Sequence, residues 1–93
     1  MRTEQVGGED RGDVLLYALS TCGWCRKTKA LLKELGVQYR YVDVDLVPAG
    51  EVEGVQREVA RWNPARTFPT LVIKGERCIV GYQPEEIREA LGR

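Results

Sequence analysis

The chain has 93 residues, enough for one small domain. Its 14 Lys and Arg residues balance 14 Asp and Glu, so no net charge is available to hold a nucleic acid or an anionic membrane. A hydrophobic content of 43% is ordinary for a soluble protein, and no apolar run is long enough to span a bilayer.

The polar start, MRTEQVGGEDRGD, lacks the apolar stretch of a secretory signal. Residues 1–12 are expected to form a flexible tail, with a single domain over 13–93. VLLYAL (14–19) is a continuous apolar run whose length suits a strand buried on both faces. Trp24, Thr28, Leu31, Leu32 and Leu35 then recur at helical spacing, with Gly36 as the stop and Ser20 or Thr21 as the expected N-cap. QYRYVDVD (38–45) is rich in aromatic and β-branched residues and predicts a second strand. Pro48 opens a helix over about 49–62, striped by Val52, Val55, Val59 and Trp62 and weakened by Gly54. TLVI (70–73) and CIV (78–80) predict a hairpin turning at Gly75. Pro84 starts a last short helix that Gly92 ends.

The predicted order is βαβαββα. The first two strands need a helical crossover and are parallel, whereas the last two are antiparallel. The expected product is an α/β domain with a four-stranded mixed sheet and helices on both faces.

Chemistry concentrates in STCGWCRK (20–27). A Cys-x-x-Cys pair can hold a metal, close a structural disulfide or cycle between dithiol and disulfide. The chain has no histidine, the commonest metal ligand and catalytic base. Only one further thiol, Cys78, is present, which makes a closed zinc site a poor fit and no metal is expected. Three cysteines also fit poorly with a secreted disulfide framework, so a reducing cytoplasm is the expected location. Redox cycling remains the favoured chemistry. Cys22 falls at the mouth of the first helix, where unpaired N–H groups and the helix dipole favour a thiolate and lower the thiol pKa. Arg26 and Lys27, with Thr21 beside them, are expected to tune it. Cys25, one turn inward, is the resolving thiol for a mixed disulfide formed at Cys22. Cys78 is expected to be a half-buried bystander, with a regulatory thiol as the alternative. Trp24 either packs at the helix start or shapes a target surface, and Trp62 is expected in the core.

Three landmarks, YALSTCGWC (17–25), TFPT (67–70) and GYQPEEI (81–87), resemble the glutaredoxins of the thioredoxin superfamily. The likeness spans residues 13–92. It implies a cis Phe68-Pro69 peptide facing the cysteine pair. Phe68 would offer its backbone to an extended substrate, and Trp24, Arg66, Thr67, Pro69, Gly81 and Tyr82 would line the same groove. Glutathione-using members usually carry a lysine where this chain has Leu19, and a Gly-Gly-x-Asp-Asp pattern where it reads VGYQPEE. The latter stretch looks more like redoxins that donate electrons to ribonucleotide reductase and are themselves reduced by a flavin or iron–sulfur disulfide reductase. The expectation is therefore a monomeric oxidoreductase of protein or small-molecule disulfides in cell redox homeostasis. It needs no tightly bound cofactor, and glutathione is the less favoured reductant. Alternatives from the same family pattern are an iron–sulfur cluster carrier and a non-catalytic redox-sensing adaptor.

Overall fold

VLLYA, the apolar run that begins at Val14, forms the centre of the sheet in a computed structural model that describes residues 2–92. All five residues of this strand are buried, and they alternate between two cores. Val14, Leu16 and Ala18 join one cluster, while Leu15 and Tyr17 join another. Period-two alternation of side chains across a sheet with both faces covered has this consequence.

In chain order the elements are β1 (Glu4–Val6), β2 (Val14–Ala18), α1 (Gly23–Glu34), β3 (Tyr39–Asp43), α2 (Val52–Trp62), β4 (Thr70–Ile73), β5 (Arg77–Val80) and α3 (Pro84–Leu91). Two short 3-10 turns, Val44–Leu46 and Ala49–Glu51, join β3 to α2. The sheet order is β1-β3-β2-β4-β5. β2 and β3 are parallel across the α1 crossover, and the other neighbours are antiparallel. Helices α1 and α3 cover one face through Leu31, Leu32, Ile87 and Leu91, and α2 covers the other through Val55 and Val59. The α/β architecture with helices on both faces is as expected.

The strand count is not. Among the described residues the sheet has five strands rather than four, because Glu4–Val6, inside the expected tail, pairs antiparallel with β3. Its pattern is mostly exposed, so it carries no hydrophobic periodicity, and only the free edge of β3 gives its backbone a partner. Met1, the start of the expected tail, and Arg93, the end of the expected domain, lie outside the described residues. Gly8 lets this segment approach closely: a Cβ there would meet the Gly36 carbonyl oxygen at 2.7 Å and the Gln38 nitrogen at 2.8 Å. The contact is sealed by Glu9 N–H donating to the Gly36 carbonyl (2.7 Å) and Gln38 N–H donating to the Glu9 carbonyl (2.8 Å).

The β4–β5 turn places both Lys74 (φ 57) and Gly75 (φ 63) in the left-handed region, as a tight hairpin between right-twisted strands requires. The helix expected over 49–62 begins as a 3-10 turn and becomes α-helical at Val52.

Candidate active site

The first helix is capped by neither Ser20 nor Thr21. Its N-cap is Cys22, in extended backbone (φ −84, ψ 119), with Sγ accepting a hydrogen bond from Cys25 N–H at 3.2 Å. Cys22 thus occupies the place usually held by a serine or aspartate oxygen. Ser20 is used elsewhere: its N–H donates to Asp45 Oδ1 at 2.8 Å, and its hydroxyl donates to the other carboxylate oxygen. These bonds hold the Asp45 carboxyl below its ordinary pKa. Thr21 is exposed and takes no part in the cap.

The two thiols sit in different surroundings. Cys22 is partly open to solvent, whereas Cys25 is fully buried. Burial, followed by the hydrogen bond and charge of Cys22, pushes the Cys25 thiol up to about 12, against smaller opposing effects of the Leu19 backbone and Lys29. An outer thiol within reach of partners and an inner thiol kept neutral follow from the α1 geometry. Thr28 is also buried, and its hydroxyl donates to the Trp24 carbonyl at 2.9 Å, so it adds no orphaned polar group.

Opposite the helix start, Phe68-Pro69 is a cis peptide, as the family likeness implied. Pro69 is buried and Phe68 half-buried between the two cores. Gly81, at φ 82, donates its N–H to the Pro69 carbonyl at 2.8 Å and so ties the end of β5 to this loop. Trp24, Phe68, Pro69, Gly81 and Tyr82 line one open cavity of about 250 Å³. Trp24 is 57% exposed despite falling on the apolar stripe of α1. Its ring stacks on Tyr82 (centroids 5.7 Å apart), and Lys27 Nζ lies 4.8 Å from its centroid. It therefore shapes a surface and does not pack into the core.

Arg66 and Thr67 do not line this cavity. Both are exposed, and Arg66 adopts φ 53 while its N–H donates to the Asn63 carbonyl. Arg26 is exposed on α1, one residue beyond Cys25. Cys78 is half-buried on β5, with its thiol pushed up by burial, and Trp62 is half-buried against the α2-side core. A larger cavity, about 700 Å³, lies on the α2 face over Leu15, Tyr17 and Val72, away from Trp24 and the cis-proline loop. Among the described residues, no three His, Cys, Asp or Glu side chains are grouped to hold a metal, and no helix is long and apolar enough to cross a membrane.

One contributor escaped the sequence reading. Asn63, at the end of α2, is only 5% exposed. Its Nδ2 donates to the Thr67 carbonyl and Thr67 Oγ1, both at 3.0 Å, and to Thr70 Oγ1 at 3.1 Å. Thr70 Oγ1 in turn donates to the Thr67 carbonyl at 2.8 Å. This knot braces the loop that presents Phe68 and Pro69. The Asn63-Pro64 step was the available signal, but it marks a turn and says nothing of what the amide grips.

Known proteins resemble this chain in sequence and in fold. The family model described as Glutaredoxin matches residues 14–78. Glutaredoxin-1 of Bos taurus is 35% identical over 71 residues, covering 75% of this chain and 66% of the relative. The chain thus spans less than two thirds of that relative's length. Among solved structures, a glutaredoxin from Methanosarcina mazei Go1 is 50% identical with a TM-score of 0.90, covering 100% of this chain and 90% of the other. Methanoredoxin from Methanosarcina acetivorans is 49% identical with a TM-score of 0.89, covering 92% and 90%. A cysteine pair at the start of a helix, a cis-proline loop across from it and a family match over most of the chain agree: this protein belongs to the glutaredoxin family of the thioredoxin superfamily.

Proposed function

We propose that the chain is a dithiol–disulfide oxidoreductase acting on protein disulfides in a reducing cytoplasm. The observation that carries this is the asymmetry of the pair: Cys22 reaches solvent with its sulfur accepting the Cys25 N–H, and Cys25 is sealed beneath it. Cys22 thiolate attacks one sulfur of a target disulfide, forming a mixed disulfide and releasing the other target thiolate. Cys25 then attacks Cys22 Sγ, the mixed disulfide breaks, and the second target thiol departs. The target gains two electrons and the protein is left with a Cys22–Cys25 disulfide. Arg26 and Lys27 supply positive charge beside the nucleophile, and Phe68, Pro69, Trp24, Gly81 and Tyr82 receive the target segment.

For the return of electrons we favour a flavin or iron–sulfur disulfide reductase over glutathione. At α3, the helix that follows Tyr82, Gln83 makes no side-chain cap, Pro84 lacks an N–H, and Glu85 and Glu86 lie in the first turn, Glu86 paired with Arg77 at 3.7 Å. The Glu85 carboxylate there opposes the carboxylate of a small anionic thiol. Tyr82, stacked on Trp24, narrows the same side. The target class includes reductases that regenerate a dithiol at each turnover, such as ribonucleotide reductase, and the acting form is a monomer.

The test supplies oxidised protein with thioredoxin reductase and NADPH, and separately with glutathione, glutathione reductase and NADPH, while following reduction of insulin disulfides. Turnover is expected with the first system and not with the second, and Cys22→Ser abolishes it. Inactivity with both systems, or full activity of Cys22→Ser, overturns the proposal.

A further inference from the structure

The YVDVD run at the end of β3, which the redox chemistry above leaves unused, brackets the cysteine pair from both sides. Asp45 grips Ser20, two residues before Cys22. Asp43 grips Lys29, four residues after Cys25, with Nζ 3.1 Å from Oδ1. The Lys29 ammonium also lies 4.0 Å from the centre of the Tyr41 ring. Both members of the ion pair are shielded, with side chains 24% and 16% exposed. Asp43 pairs with Ala18 in the β2–β3 ladder, so this anchor stands at the strand end from which the active-site loop departs.

Lys29 is thus held at a defined place, unlike a solvated surface lysine. Residues four apart on a helix are neighbours on one face, with Cβ atoms about 5–6 Å apart. Cys25 is buried, and its thiol must lose a proton before it can attack. The titratable and charged groups that act on it are Cys22 and Lys29. Once Cys22 is tied into a mixed disulfide it carries no charge, which leaves Lys29, with Asp43 as its counter-ion, as the cation acting on Cys25.

We infer that Lys29, fixed by Asp43 and the face of Tyr41, is a positioning residue for the resolving step, its ammonium supporting negative charge as it develops on Cys25. In that step Cys25 S–H gives up its proton and Sγ bonds to Cys22 Sγ. The bond from Cys22 to the target sulfur breaks, and the departing thiolate leaves with the electron pair and takes up the proton. No further oxidant or base is required. The inference rests on the assignment of Cys25 as resolving thiol.

The test is a single-turnover reaction of reduced protein with a target disulfide carrying a chromophoric leaving group, quenched with acid at timed intervals. Mixed disulfide and fully oxidised protein are separated by mass. In Lys29→Met, resolution slows several-fold, and mixed disulfide accumulates. The pH profile of resolution moves upward. Alkylation of Cys22 by iodoacetamide changes far less, and Lys29→Arg restores resolution. Asp43→Asn, which frees the lysine without removing it, gives a partial slowing and guards against misfolding of Lys29→Met. Wild-type resolution in folded Lys29→Met, or equal slowing of the first attack and the resolution, overturns the assignment. Failure of the underlying mechanism reads differently: Cys25→Ser then fails to trap any mixed disulfide.

Discussion

Replacing Asn63 by alanine removes the amide that braces the cis-proline loop. The two hydrogens of Nδ2 serve three acceptors, so the loss amounts to about two net hydrogen bonds, or about 2 kcal/mol. The Thr67 carbonyl keeps its bond from Thr70 and is not orphaned, which holds the cost near that figure. For a domain of this size, about 2 kcal/mol lowers Tm by roughly 8–16 °C. Thermal unfolding followed by far-UV circular dichroism at neutral pH reads this directly. Asn63→Asp sharpens the test by setting a carboxylate against a carbonyl that only accepts. Burial and that oxygen raise the new carboxyl's folded pKa above its unfolded value of about 3.9. Its contribution is therefore fully present below about pH 4 and lost as pH rises through the folded pKa. Asn63→Asp is expected to be less stable than Asn63→Ala at pH 7 and to recover as pH falls toward 4. A Tm drop under about 3 °C for alanine, or an aspartate variant indifferent to pH, refutes the account of this loop.

Four further outcomes follow from the same geometry. With Cys78→Ser as background, iodoacetamide at pH 7 modifies one thiol of the pair, and Cys25, with its thiol at about 12, stays unmodified by intact-mass analysis. Because the folded pKa of Cys25 is raised, and those of Tyr17 and Tyr39 as well, stability is full below the unfolded thiol pKa of about 8.5. It falls as pH rises from there toward 12, which denaturant titrations at stepped pH will register. Gly8→Ala forces a Cβ into the Gly36–Gln38 backbone and should strip the N-terminal segment from the sheet. Faster hydrogen exchange at the Glu9 and Gln38 amides, with the cysteine chemistry intact, is the expected sign, and unchanged protection of those amides contradicts it. Asp45 has a lowered folded pKa, so its hold on Ser20 is present above its unfolded value of about 3.9 and lost as pH falls through the folded one. Asp45→Asn should flatten that acid limb, and a limb identical to wild type rules out Asp45 as its source.

By itself, the sequence determined the elements whose cause is local. VLLYA announces a doubly buried strand because its apolar run is unbroken, and TLVI–KGER–CIV announces a hairpin because Gly75 supplies the left-handed turn. Cys-x-x-Cys at a strand-to-helix junction names its own chemistry through the free N–H groups of the helix start. The family likeness added the cis Phe68-Pro69 peptide. What tertiary structure alone decided are features whose partners lie far apart in the chain. Glu4–Val6 carries no periodicity and becomes a strand only because β3 has an unpaired edge to offer. Trp24 has helical spacing yet faces solvent, because Tyr82 from the far end of the chain is there to stack on it. Ser20 looks like the natural cap but is drawn to Asp45, which leaves the cap position to Cys22. Asn63 and Lys29 are ordinary letters in the sequence. Each gains its place from long-range packing, which sets an amide over the Thr67–Thr70 turn and an ammonium against Asp43 and the Tyr41 ring.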